Sequence, residues 1–350
     1  MHIDMIGWDV GGAHLKAAAL DPAGNLLGVV QEPCPLWLGL DHLHSALDQA
    51  LARWPQAAGC RHAVTMTGEL ADLFPDRAAG VAALAAVMAE RCAPGEVFIY
   101  AGPRGLILSR DLRAEDATLV ASANWMATGA WVAAKLGEAL LVDIGSTTTD
   151  LLILAGHQVK GRGYTDYERM RYDELIYTGI IRTPVMAIAD RAPFEGEWTG
   201  LMAEHFATMA DVYRLTGELP EAADQLPAAD GGGKTPEGSR RRLARLFGRD
   251  ADAAPPERWR HAARYFREQQ LAKLGQALER QWSRGVLSAA APLVGAGVGR
   301  FLAKELAARL QLAYVDFNDL FAMPAGNQFQ AADCAPAVAV ASLARCEVRL

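Results

Sequence analysis

Cysteine is scarce: five residues in 350, Cys34, Cys60, Cys92, Cys334 and Cys346, odd in number and without CxxC spacing. That excludes a disulfide framework or a cysteine zinc site as the organising device and fits a reducing compartment, so a cytoplasmic protein is expected. Positive charge is short as well. Lys and Arg number 34 against 41 Asp and Glu, for a net charge of -7, whereas a surface that grips a phosphate backbone needs a basic domain, so no nucleic-acid partner is expected. One basic run, Arg240 to Arg242 with Arg245 and Arg249, stands out. Beside Leu243, Leu246 and Phe247 at helical spacing it reads as a solvated helix face. No apolar stretch reaches the roughly 20 residues that cross a bilayer, and the first residues enter strand-like sequence without a basic leader, so neither a membrane-spanning nor a secreted chain is expected.

What is present suits a globular enzyme of two lobes: 51% of residues are apolar and 21% charged, enough at this length for more than one core. The opening reads as a three-strand meander, Ile3 to Val10, Leu15 to Leu20 and Leu26 to Gln31, with Gly11-Gly12 and Asp21 to Asn25 as turns. A helix from about Leu40 to Trp54, a strand at Ala63 to Thr67, an Ala-rich helix at Ala78 to Arg91 and a strand at Val97 to Ala101 follow. A long helix, about Ala114 to Leu136, leads to a second meander at Ala139 to Ile144, Thr148 to Ala155 and Gln158 to Gly163. The order of features repeats, which points to a duplicated lobe. Beyond it lie a polar, aromatic segment from Gly161 to Asp190 and a Gly/Pro/Ala-rich loop from Pro220 to Gly238, whose Asp230 to Lys234 stretch reads as flexible. A long helix at Pro256 to Ser283, a strand at Ala291 to Val294, a helix at Phe301 to Leu310, a strand at Ala313 to Phe317 and a helix at Ala335 to Ala344 complete the chain.

Three motifs carry chemistry. In Asp9-Val10-Gly11-Gly12-Ala13-His14-Leu15-Lys16 the glycines let backbone N–H groups approach phosphate oxygens, the strand-end aspartate can hold hydrated magnesium, and Lys16 adds a positive charge. An ordinary hairpin turn is the competing reading. In Asp143-Ile144-Gly145-Ser146-Thr147-Thr148-Thr149-Asp150 a second strand-end aspartate precedes four hydroxyls that can donate to phosphate. Strand propensity explains Thr148 and Thr149 but not an aspartate inside an apolar run. Gly295-Ala296-Gly297-Val298-Gly299 joins a strand to a helix and can admit a flat base or an anion. It lacks the ribose-binding acid of a nicotinamide site.

In this order the three motifs resemble the phosphate-1, phosphate-2 and adenosine segments of the actin-like ATPase and sugar kinase superfamily. Within it, Thr65 to Asp72, Ser122-Ala123-Asn124-Trp125, Gly161 to Tyr167 and Tyr177 to Pro184 are similar to the hydantoinase A/oxoprolinase-type branch. They are most similar there to the tetrahydromethanopterin-linked one-carbon-transfer family that includes the methanofuran condensing enzyme. The resemblance implies a two-lobed, actin-like (ribonuclease H-like) duplicated α/β fold with a central cleft. Its lobes would be residues 1–118 and 119–350, the second carrying an inserted substrate segment at about 161–290. Both aspartate loops are then expected to face one shared site.

The resemblance further implies a transferase that joins a furan-methyl phosphate or diphosphate to the phenol of a tyramine- or tyrosine-like acceptor. Asp9 and Asp143 would hold Mg2+, and Gly11, Gly12, Lys16, Gly145, Ser146, Thr147 and Thr148 the phosphate. Gly295, Gly297, Gly299, Arg162, Tyr164 and Asn124 would bind nucleotide or substrate. A phenol with a pKa near 10 needs a proton acceptor; Asp166 is the catalytic candidate, with Glu168, Asp173 and Glu69 as alternatives. The expected partners are a small-molecule phosphate and a phenolic amine, with a homodimer as the candidate assembly. Two other readings use the same loops on ATP: a small-molecule kinase or ATP-dependent amidohydrolase, and a nucleotide-dependent regulatory ATPase.

Overall fold

The computed structural model describes residues 2–57, 59–323 and 326–347. Its first part runs β1 (Met5–Val10), β2 (His14–Leu20), β3 (Leu26–Pro33), α1 (Asp41–Ala52), β4 (Arg61–Met66), α2 (Arg77–Arg91), β5 (Val97–Tyr100) and β6 (Leu106–Leu108). There follow α3 (Ala117–Val120), α4 (Asn124–Leu136), β7 (Ala139–Ile144), β8 (Thr149–Ala155), β9 (Gln158–Val159), α5 (Asp166–Arg171), β10 (Leu175–Ile176), β11 (Arg191–Phe194) and β12 (Glu197–Gly200). The last elements are α6 (Met209–Thr216), α7 (Pro236–Leu246), α8 (Pro256–Trp282), β13 (Leu293–Ala296), α9 (Arg300–Arg309), β14 (Tyr314–Asp316) and α10 (Ala335–Glu347).

The first sheet is ordered β3-β2-β1-β4-β5-β6, with β1 antiparallel to β2 and parallel to β4. Strand period sends Ile6, Trp8 and Val10 to one face, where they join Leu43 and Leu47 of α1 and Val81, Leu84 and Met88 of α2 in an apolar core. The other face carries Gly7 and Asp9. Helix α10 lies on it, packed against β1, β2, β4 and α4; a Cβ on Gly7 would overlap the carbonyl oxygen of Ala337, so only glycine allows this approach. Register aligns Gln31, Lys16, Asp9 and Thr65 in one row across β3, β2, β1 and β4. A buried polar row therefore crosses an otherwise apolar sheet beneath α10.

The second sheet is ordered β10-β8-β7-β13-β14, with β9 paired to β8. Two compact units emerge, Met1–Leu141 with Leu152–Lys160 and Val315–Leu350, and Val142–Leu151 with Gly161–Tyr314. A single cut after residue 118 does not reproduce this division, because α10 returns to the first sheet and brings α4 with it.

Four local expectations change. The helix expected over 114–136 is broken: α3 ends at Val120, Ser122 takes a left-handed φ of 53°, and α4 starts afresh at Asn124. Arg242 in the basic run is not solvated. It is fully buried and donates to Asp211 Oδ1 at 2.6 Å from Nη2 and 2.9 Å from Nε. The same guanidinium donates to Asp230 Oδ1 at 3.1 Å and to the Gly233 carbonyl at 3.2 Å, tying down the glycine-rich loop that composition reads as flexible. The β11–β12 hairpin is a gain that Pro193 and four exposed or half-exposed partners conceal from a periodicity search.

Inside the first unit Trp8 Nε1 donates to His62 Nδ1 at 3.0 Å, and Cys60 Sγ lies 3.7 Å from the other ring nitrogen. Burial pushes His62 down to about 4. The folded ring thus refuses a proton that the unfolded ring takes near pH 6.5, so its contribution is complete above that pH and is lost as pH falls toward 4. Between pH 7 and pH 5 the wild-type protein should lose about 2 kcal/mol more stability than His62→Asn. Urea denaturation at both pH values measures this, and equal losses in the two proteins would refute a neutral buried imidazole.

Candidate functional site

The first loop is the β1–β2 turn. Gly11 N–H donates to the His14 carbonyl at 3.0 Å, closing a four-residue turn straight after the strand that ends in Asp9 and Val10. Neighbouring chain fixes it from outside. Thr67 N–H donates to the Val10 carbonyl at 3.0 Å, and Leu36 N–H to the Gly12 carbonyl at 3.0 Å. Asp9 is only 6% exposed; Lys16 lies directly across from it on β2. Asn124, the first residue of α4, brings Nδ2 to 3.5 Å from Asp9 Oδ1, so the Asn124 amide and the Asp9 carboxylate meet within one unit.

The second loop repeats the same bond in the other unit. Gly145 N–H donates to the Thr148 carbonyl at 2.9 Å, after a strand that ends in Asp143 and Ile144. Among the described residues no group accepts from the N–H of Gly12 in the first loop, or of Ser146 and Thr147 in the second. Adjacent unused N–H groups in a turn form an anion-binding nest. The Ser146 hydroxyl is also buried and without a partner among the described residues. A buried donor left unsatisfied costs about 1–3 kcal/mol, so its retention points to a ligand acceptor.

The third motif lies on the second. Gly299 N–H donates to the Ile144 carbonyl at 2.8 Å, and Gly297, at φ 79°, passes so close that a Cβ would overlap the Ile144 carbonyl. Gly295 packs against the Tyr314 ring. The Gly179–Arg182 stretch closes the other side: Ile180 N–H donates to Gly145 O at 3.1 Å, and Ile181 and Arg182 N–H to Ser146 O at 3.1 and 3.0 Å. The carbonyls of Ile144, Gly145 and Ser146 are thus taken up by structure, while the N–H groups of Ser146 and Thr147 and the Ser146 hydroxyl are not.

The polar segment is built around a residue that sequence reasoning passed over. Glu174, buried, accepts from Arg162 N–H at 2.7 Å, Gly163 N–H at 3.0 Å and Arg284 Nη1 at 3.2 Å. A lone glutamate in a charged stretch gives no signal of this. Arg169, also buried, pairs with Asp150 at 2.7 Å and donates to the Glu174 carbonyl at 3.0 Å. Burial raises the Asp150 carboxyl and Arg169 opposes the rise. Strand β10 then pairs Leu175 with Asp150, so the segment is fixed to the exit of the second loop.

The proton-acceptor candidates separate here. Glu168 is a helix cap, accepting from Tyr164 and Thr165 N–H at 3.0 and 3.1 Å. Asp173 pairs with Arg280 at 2.5 Å, and Glu69 accepts from Ser122 Oγ at 2.9 Å. Asp166 stands half-buried in the first turn of α5. The Arg162 guanidinium stacks on the Tyr172 ring at 4.5 Å, and burial pushes the Tyr164 phenol up to about 12, so it remains a neutral donor at physiological pH. No cluster of three His, Cys, Asp or Glu capable of holding a metal occurs among the described residues. A single strand-end carboxylate beside a phosphate nest is the donor set Mg2+ uses when substrate oxygens and water complete its shell, so the residues fit that ion. No helix among the described residues is long and apolar enough to cross a membrane.

Known proteins agree with this architecture. A synthase of Methanocaldococcus jannaschii named for (4-{4-[2-(gamma-L-glutamylamino)ethyl]phenoxymethyl}furan-2-yl)methanamine is 29% identical over 253 residues, 72% of this chain and 74% of that protein. The synthase of the same name from Methanococcus vannielii is 34% identical over 100 residues, 28% of this chain and 41% of its own length. A nucleotide-free structure of acetone carboxylase, an ATP-dependent enzyme, superposes with a TM-score of 0.61 at 12% identity, covering 97% of this chain and 70% of that one. The fold is that of the actin-like ATPase and sugar kinase proteins. The hydantoinase/oxoprolinase family model matches residues 61–344, and with that span matched the chain belongs to the hydantoinase/oxoprolinase family.

Proposed function

We propose that this protein is a transferase of methanofuran-type cofactor biosynthesis, making an aryl–alkyl ether from a furan-methyl phosphate or diphosphate and a tyramine-like phenol. The observation that carries the reading is the relative's product name, in which a phenoxymethyl group joins a phenol oxygen to a furan-bound carbon. Phosphate nests supply what such a reaction needs. The C–O bond from the furan-methyl carbon to the phosphate breaks with its electron pair leaving on phosphate oxygen. The phenol oxygen forms the new C–O bond, and its proton passes to a base. A furylic carbon disperses the developing positive charge, so positioning and charge neutralisation on the leaving group lower the barrier most.

In this reading Gly11, Gly12, Gly145, Ser146, Thr147, Thr148 and Lys16 bind the phosphate oxygens. Asp9 at the first loop and Asp143 at the second would each be a carboxylate for Mg2+, which, when bound, neutralises charge on the leaving group. Asp166 takes the phenolic proton, and Arg162, Tyr164 and Asn124 orient the substrates. Gly295, Gly297 and Gly299 shape the wall behind Asp143, a place for the ring of the substrate or, in a kinase-like reaction, of a nucleotide.

Three outcomes test it. Purified protein with Mg2+, furan-methyl diphosphate and tyramine should yield the ether by mass spectrometry with release of diphosphate. ATP consumption with the phenolic amine and no furan compound would instead identify a kinase or amidohydrolase. Asp9→Asn and Asp143→Asn should each lower turnover by about 100-fold or more, in line with loss of a charge-stabilising group, with unchanged circular dichroism; near-normal turnover in either removes that carboxylate from the metal site. Ser146→Ala separates binding from folding. Removing a partnerless buried hydroxyl should leave stability level or raise it by about 1 kcal/mol, while diphosphate binds about 10-fold more weakly by calorimetry. A variant that loses stability and keeps affinity would show the hydroxyl to be structural.

A further inference from the structure

We propose that Glu69, acting through Ser122, is a positioning residue that sets the Asn124 amide against Asp9. The functional part of this rests on the reading of Asp9 as a metal carboxylate; the positioning itself does not. Glu69 follows β4, in a short 3-10 turn at Gly68–Leu70 whose preceding residue, Thr67, is bonded to Val10 of the first loop. It is 1% exposed, an unusual place for a carboxylate unless something specific holds it. Its Oε1 accepts from Ser122 Oγ at 2.9 Å.

Ser122 is the residue that breaks the helix expected over 114–136. Its φ of 53° belongs to the left-handed region that side chains other than those of glycine, asparagine and aspartate seldom adopt. Local strain of this kind persists where surrounding contacts over-determine it, and it gathers at functional sites. The Glu69 carboxylate is such a contact, tying the strained turn to the segment that flanks Gly11. The turn has one clear geometric product. Two residues later α4 begins, and Asn124 delivers Nδ2 to Asp9 Oδ1. Asn124 Oδ1 accepts from Trp125 N–H at 2.8 Å, which fixes which end of the amide faces the carboxylate. Glu69, Ser122, Asn124 and Asp9 thus form a chain from the loop's outer support to its acidic residue. By contacting Oδ1 of Asp9, the amide limits how the carboxylate can turn, as residues behind metal ligands commonly do.

The test reads position directly. The Asn124 side-chain amide is assigned in a 15N-TROSY spectrum by its loss in Asn124→Ala, then followed in Glu69→Gln and in Ser122→Gly. Glycine accepts the left-handed turn, so Ser122→Gly is expected to fold while lacking the hydroxyl. The amide signal should move in both variants, and Mn2+, used as the probe for Mg2+, should bind about 10-fold more weakly by electron paramagnetic resonance. Glu69→Gln/Asn124→Ala should bind Mn2+ no more weakly than the worse single variant, because both act through one contact. If thermal stability falls while the amide signal stays in place, Glu69 is only a structural tie and the proposal is overturned. If the amide moves but Asp9→Asn leaves Mn2+ binding intact, the positioning stands and the metal role of Asp9 fails.

Discussion

Both candidate loops depend on one hydrogen bond made twice: a glycine N–H, two residues beyond a strand aspartate, donating to the carbonyl three residues on. Gly11 bonds His14 and Gly145 bonds Thr148. The bond turns the chain within four residues, so the strand that delivers the aspartate and the strand that leaves pair side by side in the first unit. It also consumes the one carbonyl that would otherwise point into the turn. What remains is the N–H of Gly12 in the first loop and the adjacent N–H groups of Ser146 and Thr147 in the second, the latter a nest that favours an anion before any side chain is considered. Everything else packed on the loops, Thr67 and Leu36 on the first, Ile180 to Arg182 and Gly299 on the second, takes up outward carbonyls and leaves the donors alone.

The surrounding polar chemistry then divides by cost. Charges taken out of water must be paired, and here they are paired locally: Arg169 with Asp150, Arg242 with Asp211 and Asp230, Glu174 with two backbone N–H groups and Arg284. Breaking such a pair leaves an uncompensated buried charge, which is far costlier than losing a surface bridge. These pairs hold the Arg162 to Tyr172 segment and the glycine-rich loop in place without contributing to the loop nest. Asp9 and Ser146 differ in kind. Asp9 is buried across from Lys16 and meets the Asn124 amide at 3.5 Å, while the Ser146 hydroxyl has no partner among the described residues, which suits a group completed by a ligand.

Much of this was legible in the sequence where period and turn chemistry agree. The opening meander was readable because β1 is an unbroken apolar run apart from Asp9 and because Gly11-Gly12 and Asp21 to Asn25 punctuate it. The repeat at Asp143 was visible for the same reason, an acid where strand burial forbids one without purpose. Helix α7 was found but its buried face was misjudged, since an arginine matched to two distant aspartates looks like any solvated arginine until the fold brings Asp211 and Asp230 to it. Ser122 was hidden more deeply. Ala121 and Ala123 on either side favour helix, and the turn is held by a tertiary contact with Glu69, 53 residues earlier, that no local propensity encodes.

That hidden contact bears on how a fold shared with ATP-dependent enzymes can serve another phosphate chemistry. Nests of this kind are backbone features that favour any anion of suitable size, so they cannot by themselves select a substrate. Selection has to come from side chains placed by less general contacts. In the first unit the placed group is Asn124, brought to Asp9 by a strained turn; in the second it is the Arg162 to Tyr172 segment, pinned by Glu174 and Arg169. Both depend on a buried carboxylate with specific donors, Glu69 with Ser122 and Glu174 with two backbone N–H groups and Arg284, which fix position at a cost in desolvation that an apolar residue would not incur. In the transferase proposed above, the donors of the loops would set the class of ligand, and these costly pairs would decide its identity.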